Sequence, residues 1–411
     1  AGHIVLANTM LPVLELPLAH SSRIRQRMTS SRRPIRVVCF GDSVTGVYYH
    51  TGSQRAYTAM LELALERALP GTRVDATNAG ISGHTTADGL ARIDKDVLAH
   101  KPDIVTVMFG LNDMVRVSLA DYRKNLVTIV TRCRAIGAEV VLATPNNVIE
   151  TPRRPSRKLV EYCDVVREVS RELKVPLCDS FRGFDAARHH DRADWRLLMS
   201  DQIHPNMDGH RLIATQLART ITGRGVDLSS VHPTQPAISR TLSLLKAGKP
   251  IRVLAMPPYD KSIVAVLKTL KPEARVEVTR WETEGLSLQQ IEQDAARRVR
   301  PMKPDLVLIA VPRTAAADSR EDFIHSYSWI MNHSLSFSHR QWDCVVIHPS
   351  VAAVAAVATV ADVAEARQDA LIRRLVRAQD LHLVDRPKDS RAGPTEILQE
   401  WLGLQLKLQS K

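Results

Sequence analysis

The sequence predicts an α/β fold in which a parallel sheet is covered by helices on both faces, built twice in one chain. Three observations carry that expectation. Short Val/Ile/Leu-rich runs alternate with longer amphipathic segments, the pattern of a parallel sheet buried on both sides. The same order of segments begins again in the second half of the chain. At 411 residues the chain also exceeds the roughly 250–300 residues at which a single core stops growing.

Residues 1–33 read as an N-terminal arm, apolar and then Arg/Ser-rich, ending at Pro34. "IRVVCF" (35–40) is a buried strand, "RAYTAMLELALERAL" (55–69) an amphipathic helix stopped by Pro70-Gly71, and "RVDATNAG" (73–80) a second strand. The helical "TADGLARIDKDVLAH" (86–100), the strand "DIVTVMFG" (103–110), the helix "LADYRKNLVTIVTRCRAIG" (119–137) and the strand "EVVLATP" (139–145) come next. A helix around "RKLVEYCDVVREVSREL" (157–173), the short strand "VPLCDSF" (175–181) and the helix "MDGHRLIATQLARTI" (207–221) complete a domain over 34–222. Residues 223–249 read as a linker, and 250–411 as a second α/β domain.

The second domain looks like a diverged copy of the first. "IRVVCF" at 35 is echoed by "IRVLAM" at 251, and "KPDIVTVMFG" at 101 by "KPDLVLIAVP" at 303. Between these landmarks "RVDATNAGISGHTTADGL" at 73 aligns without gaps with "RVEVTRWETEGLSLQQIE" at 275. "EVVLATP" answers to "DCVVIHP" and "VPLCDSF" to "LHLVDRP". This is a repeat at domain scale rather than a solenoid period.

A formal charge of +12 fits an anionic partner such as an acidic polysaccharide, a membrane surface or nucleic acid. Apart from "RIRQRMTSSRRPIR" (23–36) the basic residues are dispersed, and there is no aromatic-basic module, so no nucleic-acid partner is expected. The five cysteines lack metal-type spacing and read as buried thiols. The apolar stretch at 4–20 is broken by Pro12, Glu15 and Pro17 and has no basic leader. It reads as neither an intact signal peptide nor a membrane span; a processed N-terminus would favour a secreted or periplasmic location.

Four blocks fall where strands end, the edge at which open parallel sheets bind ligands. They are Gly41-Asp42-Ser43, "NAGISG" with Gly80, "GLND" (110–113) and "DQIHP" (201–205). Together and in this order they resemble the SGNH or GDSL hydrolase family over about residues 34–222. The resemblance implies a three-layer, flavodoxin-like sandwich and a serine esterase that uses no metal or cofactor. It implies Ser43 as nucleophile, His204 as base and Asp201 as its partner. It further implies an oxyanion hole from the N–H groups of Ser43 and Gly80 and the side-chain amide of Asn112.

The chemistry calls for these residue types. A serine hydroxyl needs a base to take its proton, and a carboxylate three residues before the histidine can hold the imidazole tautomer. Pro205 suits a first helical position, which would put His204 at the N-cap. Asp42 is expected to brace its turn, Asp113 to cap the segment just after it and His210 to lie on the surface. His84, Tyr48, Tyr49 and Trp195 are candidates for lining the site. His189 and His190 diverge and lack ligand-spaced partners, so no metal is expected.

In the second copy the aligned positions are Pro257-Pro258-Tyr259, Glu282, Thr314 and "DSRAGP", which reads as a non-catalytic domain. Arg313, near the lost Asn position, is expected in a surface salt bridge rather than on a ligand, and "VAAVAAVATVADVAEA" (351–366) as a buried helix. The expected substrates are acetylated carbohydrates or small acyl esters. The alternatives are a lysophospholipase or thioesterase, and a glycan-binding protein whose second domain is the binding module.

Overall fold

The computed structural model describes residues 24–26, 28–31, 33–352 and 362–409. Residues 353–361, most of the apolar stretch read as a buried helix, and the apolar stretch at 4–20 lie outside them. No helix among the described residues is long and apolar enough to cross a membrane. The chain divides into two compact units, 1–48 with 55–231, and 49–54 with 232–411. The division at 231/232 falls within the segment read as a linker, and the short segment 49–54 groups with the second unit.

The first unit holds β1 (Ile35–Gly41), β2 (Val74–Gly80), β3 (Ile104–Met108), β4 (Glu139–Ala143) and β5 (Leu177–Cys178). They pair in parallel in the order β2-β1-β3-β4-β5. Every residue of β3 is buried, as expected of a strand with a helical layer on each side. The crossovers run through α1 (Tyr57–Ala68), α2 (Thr86–Asp96), α3 (Leu119–Ala135) and α4 (Ser156–Leu173). Then come α5 (Ser180–His190) and α6 (Met207–Thr222). The strand order reverses between β1 and β3, and the crevice at such a reversal is where open α/β sheets hold ligands. The Ser43 and Asn112 blocks come directly after those two strands.

The described end of the arm is tied to this unit. Ile24 and Met28 are buried in its core, and the Arg33 guanidinium forks onto both oxygens of Asp103 at 2.7 Å.

The second unit repeats the topology. Its strands are β6 (Ile251–Ala255), β7 (Val276–Arg280), β8 (Leu306–Ile309), β9 (Asp343–Ile347) and β10 (His382–Val384). Their order is β7-β6-β8-β9-β10, the order of the first sheet. The expected linker contributes α7 (Ser239–Lys246) to this unit. Thr241 there donates from both N–H and Oγ1 to Asp343 Oδ2 at 2.7 Å.

The backbone details also coincide. Asp103 of the first "KPD" donates to Arg36 O at 2.8 Å and accepts from Arg36 N–H at 2.9 Å. Asp305 does the same with Arg252 at 2.8 and 3.0 Å. Lys101 and Lys303, aligned in sequence, both adopt left-handed backbone, φ 46° and 48°. The α2 helix opens with a capping box of Thr85 and Asp88. The α9 helix (Leu288–Met302; α8 is Tyr259–Leu270) opens with one of Ser287 and Gln290 at the aligned positions. Each box satisfies two orphan N-terminal donors. Arg313 pairs with Glu365 and Asp369 at 2.9 and 2.8 Å.

All five cysteines are buried and unpaired. Burial pushes the Cys39 thiol up to about 11 and that of Cys344 to about 12, which makes them inert near neutral pH.

Removing either buried aspartate leaves a strand-end N–H without its acceptor. Asp103→Ala and Asp305→Ala are each expected to destabilise by about 1–3 kcal/mol. Urea unfolding monitored by circular dichroism measures the shift, and an unchanged midpoint for both would contradict the shared anchoring role.

Candidate active site

Ser43 lies two residues beyond β1 and is 6% exposed. The turn that presents it is crowded. A Cβ on Gly41 would lie 2.1 Å from Thr45 Oγ1 and 2.5 Å from Met108 O, and one on Gly80 2.2 Å from Gly46 N. Both positions therefore require glycine for contact between backbones. Asp42 braces the turn as expected, since its Oδ1 accepts from Val44 N–H at 2.9 Å. Burial is the main reason that its carboxyl is pushed up to about 6.

Ser43 Oγ lies 2.8 Å from His204 Nε2, and His204 Nδ1 lies 2.7 Å from Asp201 Oδ2. The other Asp201 oxygen accepts from the N–H groups of Ile203 and His204 at 2.8 and 2.7 Å. The loop is closed behind them by Asn206 N–H to Leu198 O and Ser200 N–H to His204 O, both 2.9 Å.

Two expectations fail on this segment. The helix after it starts at Met207 with Asn206 as N-cap, accepting from Asp208 and Gly209 N–H; His204 is not the cap. His210 is fully buried rather than on the surface, with its Nδ1 accepting from Tyr57 N–H at 2.8 Å. Burial, and then His204 nearby, hold its pKa down at about 3, so it stays neutral where His204 must work.

Asn112 lies just beyond β3. Its Nδ2 donates to His84 O at 3.1 Å, and its Oδ1 accepts from Arg154 Nη2 at 3.3 Å. The Nδ2 also lies 3.5 Å from Asp42 Oδ2, too long to occupy its second hydrogen firmly. Asp113 caps α2 rather than the segment just after it, its Oδ1 accepting from Thr86 N–H at 2.8 Å and Thr86 Oγ1 at 2.6 Å. Gly80 departs from its implied role, because its N–H already donates to Asn78 Oδ1 at 3.0 Å. Three residues later Gly83 has φ +77°. Among the described residues neither the Ser43 nor the Gly83 N–H meets an acceptor.

The remaining candidates are dispersed. Tyr48 Oη accepts from Ser82 N–H at 2.6 Å. Tyr49 groups with the second unit, its ring 6.0 Å from those of Trp329 and Phe337. Trp195 is buried in the core, donating from Nε1 to Asn147 Oδ1 at 2.7 Å, so it offers no open stacking face. The His84 ring accepts from Arg92 Nε at 3.2 Å, and burial is the main cause of its lowered pKa. His189 is paired with Asp185 at 3.3 Å.

The profile of the GDSL-like lipase/acylhydrolase family matches residues 39–212. Lipoprotein YqeF of Bacillus subtilis, itself uncharacterised, is 32% identical over 200 residues, covering 41% of this chain and 80% of the relative. The chain belongs to the GDSL-like lipase/acylhydrolase family. Esterase TesA of Pseudomonas aeruginosa is 36% identical over 167 residues, covering 40% of this chain and 77% of the relative. An acetylxylan esterase of Geobacillus stearothermophilus is 28% identical over 177 residues, with 40% and 80% covered. A solved structure of that acetylxylan esterase aligns with a TM-score of 0.42 at 27% identity, over 49% of this chain and 99% of the other. The protein is accordingly a carboxylic ester hydrolase.

Sequence reasoning missed the β4–α4 loop of this hydrolase. Asn146 Nδ2 donates to Ile203 O at 3.0 Å and Ile149 N–H to Gln202 O at 2.8 Å. Arg154 Nε donates to Leu111 O at 3.1 Å. One loop thus braces the segments that carry both His204 and Asn112. Its only trace in the sequence is a Pro/Asn-rich stretch, "TPNNVIETPRRP" (144–155), which marks a loop without saying what the loop touches.

Two outcomes are expected for the hydrolase. With a folded pKa of about 6 against 3.8, Asp42 contributes stability below pH 3.8 that is lost as the pH rises through 6. Asp42→Asn should therefore gain on the order of 1–3 kcal/mol relative to wild type between pH 4 and pH 8, read from melting curves at both pH values. Gly80→Ala should lose stability through the clash with Gly46, by roughly 1–3 kcal/mol; an unperturbed melt would remove the steric reason for this glycine.

Proposed function

We propose that the protein is a serine esterase that removes short acyl groups, acetyl foremost, from carbohydrate esters. The observation that carries this reading is the unbroken chain Ser43 Oγ, His204 Nε2, His204 Nδ1, Asp201 Oδ2, with separations of 2.8 and 2.7 Å across its two hydrogen bonds. Ser43 Oγ attacks the ester carbonyl carbon as its proton passes to His204 Nε2, and Asp201 stabilises the imidazolium. The carbonyl oxygen becomes an oxyanion that receives the Ser43 N–H and one Asn112 Nδ2 hydrogen. We assign the third donor to the Gly83 N–H in place of Gly80, whose N–H is already used within its own strand end.

Collapse of the tetrahedral adduct breaks the bond to the sugar oxygen, which leaves as an alcohol with the proton from His204. Water then attacks the acyl-serine while His204 takes its proton. That proton returns to Ser43 Oγ as acetate departs. No redox change occurs, and every proton has a stated donor and acceptor.

The near-burial of Ser43 and the relative described as an acetylxylan esterase support a short acyl group on a carbohydrate. A lipid or thioester reading draws support from the TesA relative and from the Escherichia coli relative described as thioesterase 1/protease 1/lysophospholipase L1, 27% identical. We infer a non-catalytic role for the second unit. The residue aligned with Ser43 is Tyr259, buried at the start of α8.

p-Nitrophenyl esters from acetate to palmitate, and acetate release from acetylated xylan, separate these readings. Wild type should favour acetate, and Ser43→Ala should be inactive. Asn112→Ala should lose about 10²–10³ in kcat with KM little changed. A preference for palmitate would move the assignment to lipid esters; full activity of Ser43→Ala would end the serine mechanism.

A further inference from the structure

The amide of Asn112 can stabilise an oxyanion only if its nitrogen, and not its oxygen, faces the site. A free asparagine rotates between two orientations that differ little in shape, so something must choose between them. The partners here leave no ambiguity. On one side stands Arg154 Nη2, 3.3 Å from Oδ1; guanidinium has five donors and no acceptor. On the other stands His84 O, 3.1 Å from Nδ2; a carbonyl can only accept. Flipping the amide would set donor against donor and acceptor against acceptor at the same time.

Arg154 is itself fixed. Its Nε donates to Leu111 O at 3.1 Å, the carbonyl immediately before Asn112. Its backbone is pinned in a turn by Thr151, with Arg154 N–H on Thr151 O at 2.9 Å and on Thr151 Oγ1 at 3.1 Å. The planar guanidinium thus spans the main chain and the side chain of two successive residues, a geometry that a lysine ammonium cannot reproduce.

Its charge is also free to act on the site. Among the described residues Arg154 has no carboxylate within ion-pair distance. The charges it senses are the like charges of Arg153 and Arg116 and the opposite charges of Asp42 and Asp201. Asp201 is committed to His204 and to its own loop. A half-buried cation left without a counter-ion favours negative charge developing nearby.

We propose that Arg154 is the positioning residue of the oxyanion hole, locking the Asn112 amide with Nδ2 towards the site and supplying net positive charge behind it. This rests on the oxyanion-hole role proposed for Asn112. Its effect belongs to the transition state, so loss of Arg154 should lower kcat and leave KM nearly unchanged.

The test is a double-mutant cycle on p-nitrophenyl acetate with full-length wild type, Arg154→Ala, Asn112→Ala and the double variant. Thermal melts of each establish that it folds. Arg154→Ala should lose about 10- to 100-fold in kcat with KM within about threefold. In the Asn112→Ala background the same change should cost several-fold less than in wild type, only the charge contribution remaining, because the group that Arg154 positions is already gone. Arg154→Lys should recover part of the charge effect and less of the orientation, falling between wild type and Arg154→Ala; should Arg154→Ala not fold, Arg154→Gln takes its place in the cycle.

Additive losses in the double variant would overturn the proposal while leaving the Asn112 role intact. So would a change confined to KM, or one seen only on esters that carry a carboxylate, which would make Arg154 a substrate anchor. A normal Asn112→Ala would overturn both this proposal and the hole on which it rests.

Discussion

One carboxylate holds the candidate site together. Asp201 accepts from Ile203 and His204 N–H through one oxygen and from His204 Nδ1 through the other. The first pair shapes the loop, and the second bond sets the imidazole tautomer and aims Nε2 at Ser43. In the proposed mechanism a carboxylate at Nδ1 is what a developing imidazolium requires. Loop geometry and the proposed proton transfer thus depend on the same side chain. The hydrogen bonds from Asn206 N–H to Leu198 O and from Ser200 N–H to His204 O across the base of the loop leave Asp201 little freedom to serve one task without the other.

The rest of the site is arranged by close approach between backbones. Gly41 and Gly80 stand opposite each other in the β1–β2 register, and each has room for no side chain. This lets the Ser43 turn sit low on the sheet edge, between β2 and β3. Arg92 completes the packing there, donating to Gly41 O and Ala79 O at 2.9 Å and so satisfying two carbonyls at the ends of β1 and β2. From the other side the β4–α4 loop ties the His204 segment to the Asn112 segment. Three segments far apart in sequence are held by hydrogen bonds to main-chain atoms, which fix position more tightly than side-chain packing alone.

Which features could be read from the sequence depends on how local each signal is. Strand and helix positions and the four blocks were legible because apolar period, turn residues and short spacings are encoded within a few residues of each other. Asp201 and His204 belong to one such block, and Ser43 to another. Most of the departures are long-range. Gly80 is implied by the resemblance as an oxyanion-hole donor, but its N–H is taken by Asn78 and the atom it makes room for belongs to Gly46. His210 sits one helical face away from any recognisable motif and is buried against Tyr57, a contact that only the assembled sheet creates. Pro205 suggested a helix start, yet the side chain of Asn206 caps more effectively. Nothing local to Arg154 says that its guanidinium spans Leu111 and Asn112.

The two units separate the residues that build this fold from those to which the proposed chemistry is assigned. Both keep the aspartate that anchors the first strand, the left-handed lysine before it and a capping box at the same aligned position. Each of these gives a backbone group at an element end its hydrogen-bond partner. Ser43 and Asn112 satisfy no such requirement, and their aligned positions hold Tyr259 and Thr314. The aligned sheet edge of the second unit carries a buried phenol ring in place of a hydroxyl with strand order unchanged, because the strands are held from their amino ends. The same physics explains why fold resemblance alone would have made both units esterases, whereas the residues at the carboxyl edge distinguish them.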